Sequence, residues 1–323
     1  MKFQLWLALS IFILSCAKSS PIQIPNVNVH TPPVVPNWSS LGTTGAGDGQ
    51  MVYPQSIAFD SAGNSYVSDN GHNRVEKFDI NGNYLLQFGS SGSGAGQFWG
   101  PCGIAIDSAG NVNVVDYTDA RVEKFDSNGN FLSQFGTPGS GNGQFNHPYG
   151  IAADGKGSLY VSDLSNNRIQ KFDENGNYIL QFGGQGSGNG QLNGPYQLSY
   201  GVDATGSAKI YVGDTFNKRV EVFDTNGTFL LQFGSAGTGN GQFTTPYGVT
   251  SDIFGNIYAV DWNQNRVEKF DAAGNYLLQF GGTGSGNGQL NAPFAITADA
   301  LDNIYVVDVA NNRIERFSST GLF

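Results

Sequence analysis

The sequence predicts an all-β fold in which six four-stranded antiparallel blades close into a ring. Three observations predict it. First, a Pro recurs at 54, 101, 148, 195, 246 and 293, with spacings of 47, 47, 47, 51 and 47 residues. Such self-similarity marks a repeat architecture. Second, each unit holds four short runs rich in Val, Ile, Tyr and Phe, bounded by Gly, Asn and Asp. In the third unit these are PYGIAAD, LYVSD, RIQKFD and YILQFG. No stretch keeps a helical period. Third, Asn-Gly pairs such as Asn81-Gly82 and Asn128-Gly129 join successive runs, and these suit hairpins because Gly accepts positive φ. Four antiparallel strands per unit, six times over, is the pattern of a six-bladed β-propeller.

The ends of the chain complete the ring. The sequence stops at Ser319-Thr320-Gly321-Leu322-Phe323, where a fourth strand of the last unit is due. Trp38-Ser39-Ser40-Leu41-Gly42 stands before Pro54 as LLQFG stands before Pro101. Leu41 precedes Pro54 by 13 residues, and Phe88 precedes Pro101 by the same 13. The N-terminal segment is therefore expected to supply the outer strand of the last blade and to remove a free edge. The propeller should span 37–323 as one domain.

The repeat resembles NHL repeats: P-x-G-[IV]-A-x-D, then [IL]-Y-V-x-D-x-x-N-x-R-[IV]-x-K-F-D, then G-x-[YF]-L-x-x-F-G. It lacks the Trp-Asp signature of WD40 blades and the Gly-Gly of kelch blades. The resemblance covers about residues 37 to 323.

Ahead of the ring, Met1-Lys2 is a short basic start. Phe3 to Leu14 is an apolar run too short to span a bilayer, as in a signal peptide. Ile13-Leu14-Ser15-Cys16 resembles the lipobox of bacterial lipoproteins. That resemblance implies a signal peptide over 1–15, cleavage before Cys16 and acylation of that cysteine. Acyl chains anchor by about 0.8 kcal/mol per buried CH₂. Residues 16–36 are Pro-rich and aperiodic and read as an extended tether. The localisation expected from this is the cell envelope, lipid-anchored, with the outer membrane or cell surface favoured. Cys102 alone would remain in the mature chain, so the fold should stand on its core without a disulfide.

The formal charge of -10 argues against a nucleic-acid partner, whose binding is dominated by phosphate neutralisation. Membrane contact is expected through the lipid anchor only, and the chain is expected to be a monomer.

GSGNGQF at 139–145 looks like a phosphate-cradling loop, but it recurs from Gly92, Gly186, Gly237 and Gly284, and as GAGDGQM from Gly45. No helix follows it, so the helix dipole that such loops exploit is missing. It reads as the link between blades, with the Phe or Leu after its Gln buried.

An Asp-Arg pair at offset five brackets each loop between second and third strands: Asp69/Arg74, Asp116/Arg121, Asp163/Arg168, Asp214/Arg219, Asp261/Arg266 and Asp308/Arg313. Six copies argue for a structural charge-assisted bond rather than a catalytic dyad. Asp-rich turns such as 60–64 and 107–111 lack the acidic density of an EF-hand and read as hairpin turns. No catalytic motif, metal set or cofactor is expected. His30, His72 and His147 do not gather in sequence, and zinc requires three or four ligands.

The position after each Pro starts the inner strand at the channel mouth. It holds Gln55, Cys102, Tyr149, Tyr196, Tyr247 and Phe294. The four aromatics read either as packing between blades or as a partial collar that stacks on a ligand. Tyr117 and Trp262 follow loop-opening aspartates on the same face, and His147 precedes Pro148. These seven, Tyr149, Tyr196, Tyr247, Phe294, Tyr117, Trp262 and His147, are the candidate ligand-binding residues. Blade four departs from the repeat, with two extra residues before Asp203, two more before Tyr211, and Gln197 in place of the usual Gly. The function expected is a binding scaffold for a protein, peptide or glycan. The alternative is a channel-cation enzyme of lactonase or lyase type on the same fold. Gluconolactonase-like propellers hold such a cation with a carboxylate and amides.

Overall fold

Each inner strand begins at its repeat proline, where the missing N–H costs no ladder bond. The computed structural model describes residues 36, 38–203 and 205–323. The expected signal peptide, Cys16, most of the tether and His30 lie outside the described residues. Pro33–Phe323 forms one compact unit.

Blade one consists of Pro54–Phe59, Ser65–Asp69, Arg74–Phe78 and Tyr84–Phe88. Blade two runs Pro101–Ile106, Val112–Asp116, Arg121–Phe125 and Phe131–Phe135. Blade three is Pro148–Ala153, Ser158–Asp163, Arg168–Asp173 and Tyr178–Gly183. Blade four is Pro195–Val202, Ala208–Asp214, Arg219–Asp224 and Phe229–Phe233. Blade five is Pro246–Ser251, Ile257–Asp261, Arg266–Phe270 and Tyr276–Gly281. Blade six joins Pro293–Ala298, Ile304–Asp308 and Arg313–Phe317 to the N-terminal strand Ser40–Leu41. All four strands of each blade pair antiparallel in sequence order, except for that last addition. The four extra residues of blade four lengthen its first hairpin, where Gly201 pairs with Lys209 and Val202 with Ala208.

Closure is made by both ends. Ser40 pairs with Glu315 and Leu41 with Ile314, the register that Phe88 takes with Val75 in blade one. Arg316 N–H donates to Ser39 O at 2.9 Å. Trp38 packs edge-on against Tyr305 at 5.3 Å. Phe323 sits against Phe317 at 6.1 Å, as Tyr276 sits against Phe270 at 6.2 Å. The outer strand of blade six is thus begun by the C-terminus and finished by the N-terminus.

The interfaces between blades carry the core. Met51, Phe98, Phe145, Leu192, Phe243 and Leu290, the residues after each connector Gln, are fully buried. Second-strand tyrosines tie neighbouring blades at the opposite end: Tyr66 Oη donates to Ser127 O of blade two, and Lys77 Nζ lies 4.9 Å above the Tyr66 ring. The same cation–ring contact recurs at Lys171/Tyr160 and Lys269/Tyr258.

Candidate functional site

The glycine-rich connectors hold an arginine. Gly139 has φ +149°, and a Cβ there would fall 2.4 Å from Gln144 Oε1. Glycine is therefore required, and the Gln144 carboxamide folds back to accept the Gly141 N–H at 2.9 Å. The tightened loop turns its carbonyls inward. Arg168 Nη2 donates to Gly141 O at 2.8 Å and Gln144 O at 2.9 Å, and its Nε donates to Asp163 Oδ2 at 2.8 Å. Asp163 Oδ1 accepts the Asn146 N–H at 2.7 Å. A loop lined by carbonyls around a guanidinium repels a phosphate. This explains why a motif that looks like a nucleotide loop occurs once per blade junction.

The Asp-Arg contact is made in five of six blades: Asp69/Arg74 at 2.9 Å, Asp116/Arg121 at 3.5 Å, Asp163/Arg168 at 2.8 Å, Asp214/Arg219 at 2.7 Å and Asp308/Arg313 at 2.8 Å. Asp261 and Arg266 depart from the expected pairing. Thr244 donates its N–H and its hydroxyl to Asp261, and Thr245 donates its N–H. Three donors rotate the carboxylate away and leave Arg266 Nε without a hydrogen-bond partner, while its Nη2 keeps the Glu268 contact at 2.8 Å that Arg74, Arg121, Arg219 and Arg313 also make with their own glutamates.

A second charged position lies two residues after each Arg, inside the third-strand pattern of the repeat. It is Glu76, Glu123, Glu221, Glu268 and Glu315, with Gln170 in blade three. Glu123 accepts the Gly96 N–H at 3.0 Å, and Gln170 accepts the Gly143 N–H at 2.9 Å. Burial pushes each of the five carboxyls from the ordinary 4.5 up to about 7, against the opposing pull of its neighbouring Arg. Between these values the folded protein binds more protons than the unfolded chain. This contribution to stability is full below about pH 4.5 and is lost as pH rises through 7. Below the ordinary 3.8 of Asp the sign reverses. Asp79, Asp126, Asp173 and Asp271 are held low by hydrogen bonds from their turn asparagines. The melting temperature should peak near pH 4 to 4.5 and fall between about pH 4.5 and 7. Replacing the five glutamates by Gln, as blade three already has, should flatten that fall. A melt that rises from pH 5 to 8 would contradict this account.

At the end where each inner strand begins, the rings of blades three to six meet on the axis. Ring centroids lie 5.1 Å apart for Tyr149–Tyr196, 4.4 Å for Tyr196–Tyr247 and 4.6 Å for Tyr247–Phe294. Tyr149 also reaches Phe294, from the opposite blade, at 5.2 Å. Its hydroxyl donates to Gln55 Oε1 at 2.7 Å. The four rings therefore pack on one another across the channel and close it, and only their outward faces are accessible. Burial pushes the Tyr149 and Tyr247 hydroxyls well above their ordinary range. Cys102 completes this floor from blade two and is buried, its thiol likewise pushed far up by desolvation. A thiol reagent should modify Cys102 only after unfolding. Rapid modification of the native protein would contradict its placement.

Around this plug stands an exposed rim. Tyr117 stacks on His147 at 4.7 Å and touches Tyr149 at 5.6 Å. Trp262 stacks on Tyr247 at 5.6 Å. All seven candidate residues thus share one face. The structure adds three aromatics to them: Tyr53, Trp99 and Phe216, which are 57%, 46% and 55% exposed. Phe216 lies over Gly194, where a Cβ would come within 2.4 Å of its ring. The sequence signal for these three was available, since each stands beside a residue the repeat holds fixed. His72 is apart from His147 and bonds Asp69 at 2.7 Å. Among the described residues, no three His, Cys, Asp or Glu side chains gather as a metal site.

Toward the other end the channel widens into a blind cavity of about 380 Å³. Pro36 lines its mouth, with its carbonyl accepting from Arg316 Nη1 at 2.6 Å.

Two family models match, one described as a 6-bladed beta-propeller over residues 200–272 and one as an NHL repeat over 145–172. Comparison with the curated proteins finds no match. Among solved structures, a virginiamycin B lyase from Staphylococcus aureus, solved with quinupristin, is 14% identical. It aligns over 84% of this chain and 81% of that one with a TM-score of 0.58. A structural genomics protein of unknown function from Bacteroides thetaiotaomicron is 18% identical over 85% and 72%, with a TM-score of 0.64. Hydrazine synthase of Kuenenia stuttgartiensis is 11% identical over 85% and 97%, with a TM-score of 0.56. At these identities the likeness is one of fold. With six blades of the same Pro-to-Phe-Gly pattern and a matching repeat model, the chain is an NHL-repeat six-bladed β-propeller.

Proposed function

We propose that the protein is an interaction scaffold whose aromatic end receives a protein, peptide or glycan ligand. The observation that carries this reading is the combination of a closed channel and an exposed aromatic rim at the same end. A plug of mutually packed rings gives a rigid floor. Tyr53, Trp99, Phe216, Tyr117 and Trp262 then offer large, stiff contact area at low entropic cost. Exposed asparagines between them, such as Asn146 and Asn263, supply hydrogen-bonding capacity. The floor has no carboxylate, so the lactonase-like arrangement of a cation held by carboxylate and amides does not fit these residues. In this reading Cys16 is lipid-modified in the cell envelope. Pro36 lies at the end of the propeller opposite the aromatic rim.

The test is a side-by-side binding comparison of wild type with the double variant Trp99→Ala, Trp262→Ala on peptide and glycan arrays and on envelope extract. Trp99 is exposed and Trp262 half-buried against Tyr247, so the variant should stay folded with a modestly lower melting temperature while retention falls by about tenfold or more, the equivalent of one hot-spot loss. Equal retention by both proteins would sink this placement, and a stoichiometric metal surviving dialysis would favour a channel enzyme instead.

A further inference from the structure

One blade junction at the aromatic end departs from the repeat. The last residue of the loop between second and third strands is Asn73, Asn167, Asn265 and Asn312 in blades one, three, five and six. Each lies in the left-handed region, at φ of 52–55°, which Asn tolerates better than most side chains do. Each also reaches to the next blade. Its Oδ1 accepts the N–H of Gly100, Gly194, Ala292 and Tyr53 in turn, at 2.7–2.9 Å. Blade four has Lys218 instead, and there the Thr245 N–H turns to Asp261 Oδ1 at 3.0 Å. Blade two has Ala120, held at φ +54° all the same. It brings no acceptor, and the N–H it would meet, that of His147, has no hydrogen-bond partner among the described residues. Five junctions satisfy this donor internally. The sixth leaves it unmade, at a cost in free energy, beside the Tyr117–His147 stack. His147 is exposed, with its Nδ1 on Ser165 Oγ at 3.1 Å.

The surroundings of this donor decide the class of ligand. Past the opening aspartates, which are fully buried, the loops between second and third strands carry only Asp119, Lys218 and His72 as acidic or basic side chains. Asp119 lies 3.5 Å from Arg121. The connector ends add His147 alone. The acidic turns of the first hairpins, at Asp60, Asp107, Asp154, Asp203, Asp252 and Asp299, stand at the other end of the inner strands. A face of rings and amides so poor in charge gives an ionic ligand little to pair with. Its connector N–H groups are spent on its own Asp and Asn side chains, so an extended peptide finds no ladder to join there. A neutral pyranose suits both conditions. Its C–H face can lie on the negative face of an aromatic ring, and its hydroxyls both donate and accept. From Tyr117 the rings continue through Tyr149, Phe294 and Tyr247 to Trp262 on the opposite blade, in steps of 4.6–5.6 Å. Such a floor matches several linked sugars better than one.

We propose that the aromatic end binds a neutral oligosaccharide, anchored at the junction of blades two and three by a sugar that stacks on Tyr117 and His147 and gives a hydroxyl oxygen to the His147 N–H. This rests on the reading of that end as the binding face. Calorimetry on the full protein would test it with neutral gluco-, manno- and galacto-oligosaccharides, with uronic-acid oligosaccharides and with peptides. Saturable binding is expected for a neutral series and not for the uronic acids. Ala120→Asn restores the repeat's own bond to the His147 N–H. It should raise the melting temperature by about 2 °C or more and yet weaken oligosaccharide binding about tenfold. A variant that folds better and binds worse cannot owe its loss to damage. His147→Gly keeps the N–H and suits the positive φ but removes the ring, and should also weaken binding. Unchanged binding in His147→Gly would overturn the anchor, whatever Ala120→Asn does to the melt. Preference for the uronic acids, or no binding by any neutral series, would overturn the proposal. Peptide binding alone, lost in Trp99→Ala, Trp262→Ala, would overturn it and leave the binding face standing. Oligosaccharide binding indifferent to every rim variant would sink both.

Discussion

Arg168→Ala should lower stability by about 3–5 kcal/mol, the loss typical when one member of a buried ion pair is removed. The reason is the number of groups this guanidinium serves. It neutralises Asp163, which is fully buried, and donates to two connector carbonyls and to Gln181 Oε1. Without it, Asp163 keeps its charge in the core with only neutral donors, and Gly141 O and Gln144 O lose their partner. Blade five supplies an internal control. Asp261 already takes three donors from Thr244 and Thr245, so Arg266→Ala should be the milder substitution. Glu268, left behind, can protonate at neutral pH. Urea midpoints of the two variants would check this order. Equal losses, or a larger loss at Arg266, would show that the connector carbonyls rather than the aspartates carry the effect.

Removing the closing strand should be the second large effect. Trp38→Ala takes a nearly buried indole off Tyr305 and off Gly82, where a Cβ would sit 3.1 Å from its ring. Truncating a buried aromatic costs about 3–5 kcal/mol. Deleting the chain through Leu41 removes the outer strand as well and bares the edge Arg313–Phe317. An unpaired edge is a template for pairing with another chain. The truncated protein should melt earlier and also associate, as read by light scattering. An unchanged melt and a monodisperse monomer would mean that the ring holds without its N-terminal closure.

The blades, their strand order and the closure were legible because each depends on spacing. Six prolines fix the inner strands, and the shared 13-residue interval from Leu41 and from Phe88 fixes the register of the last blade. What was not legible depends on where the six inner strands converge. Whether Tyr149 and Phe294 meet is a matter of channel diameter, which no single repeat encodes, so packing and an open collar looked equivalent in the sequence. The displacement of Asp261 from Arg266 needed one hydroxyl, at Thr244, that only the fold places beside the carboxylate. The cavity was hinted at by Gln197 and the longer blade four hairpin. Its shape appears only once the six inner strands converge.

The most direct test of the central claim is hydrogen exchange of the protein with and without a ligand captured on the arrays. The account predicts new protection at the aromatic end, over residues 52–54, 98–101, 117–120 and 262–265. Protection confined to the opposite turns, such as 60–64 and 299–303, or to the outer strands would place binding elsewhere and contradict it.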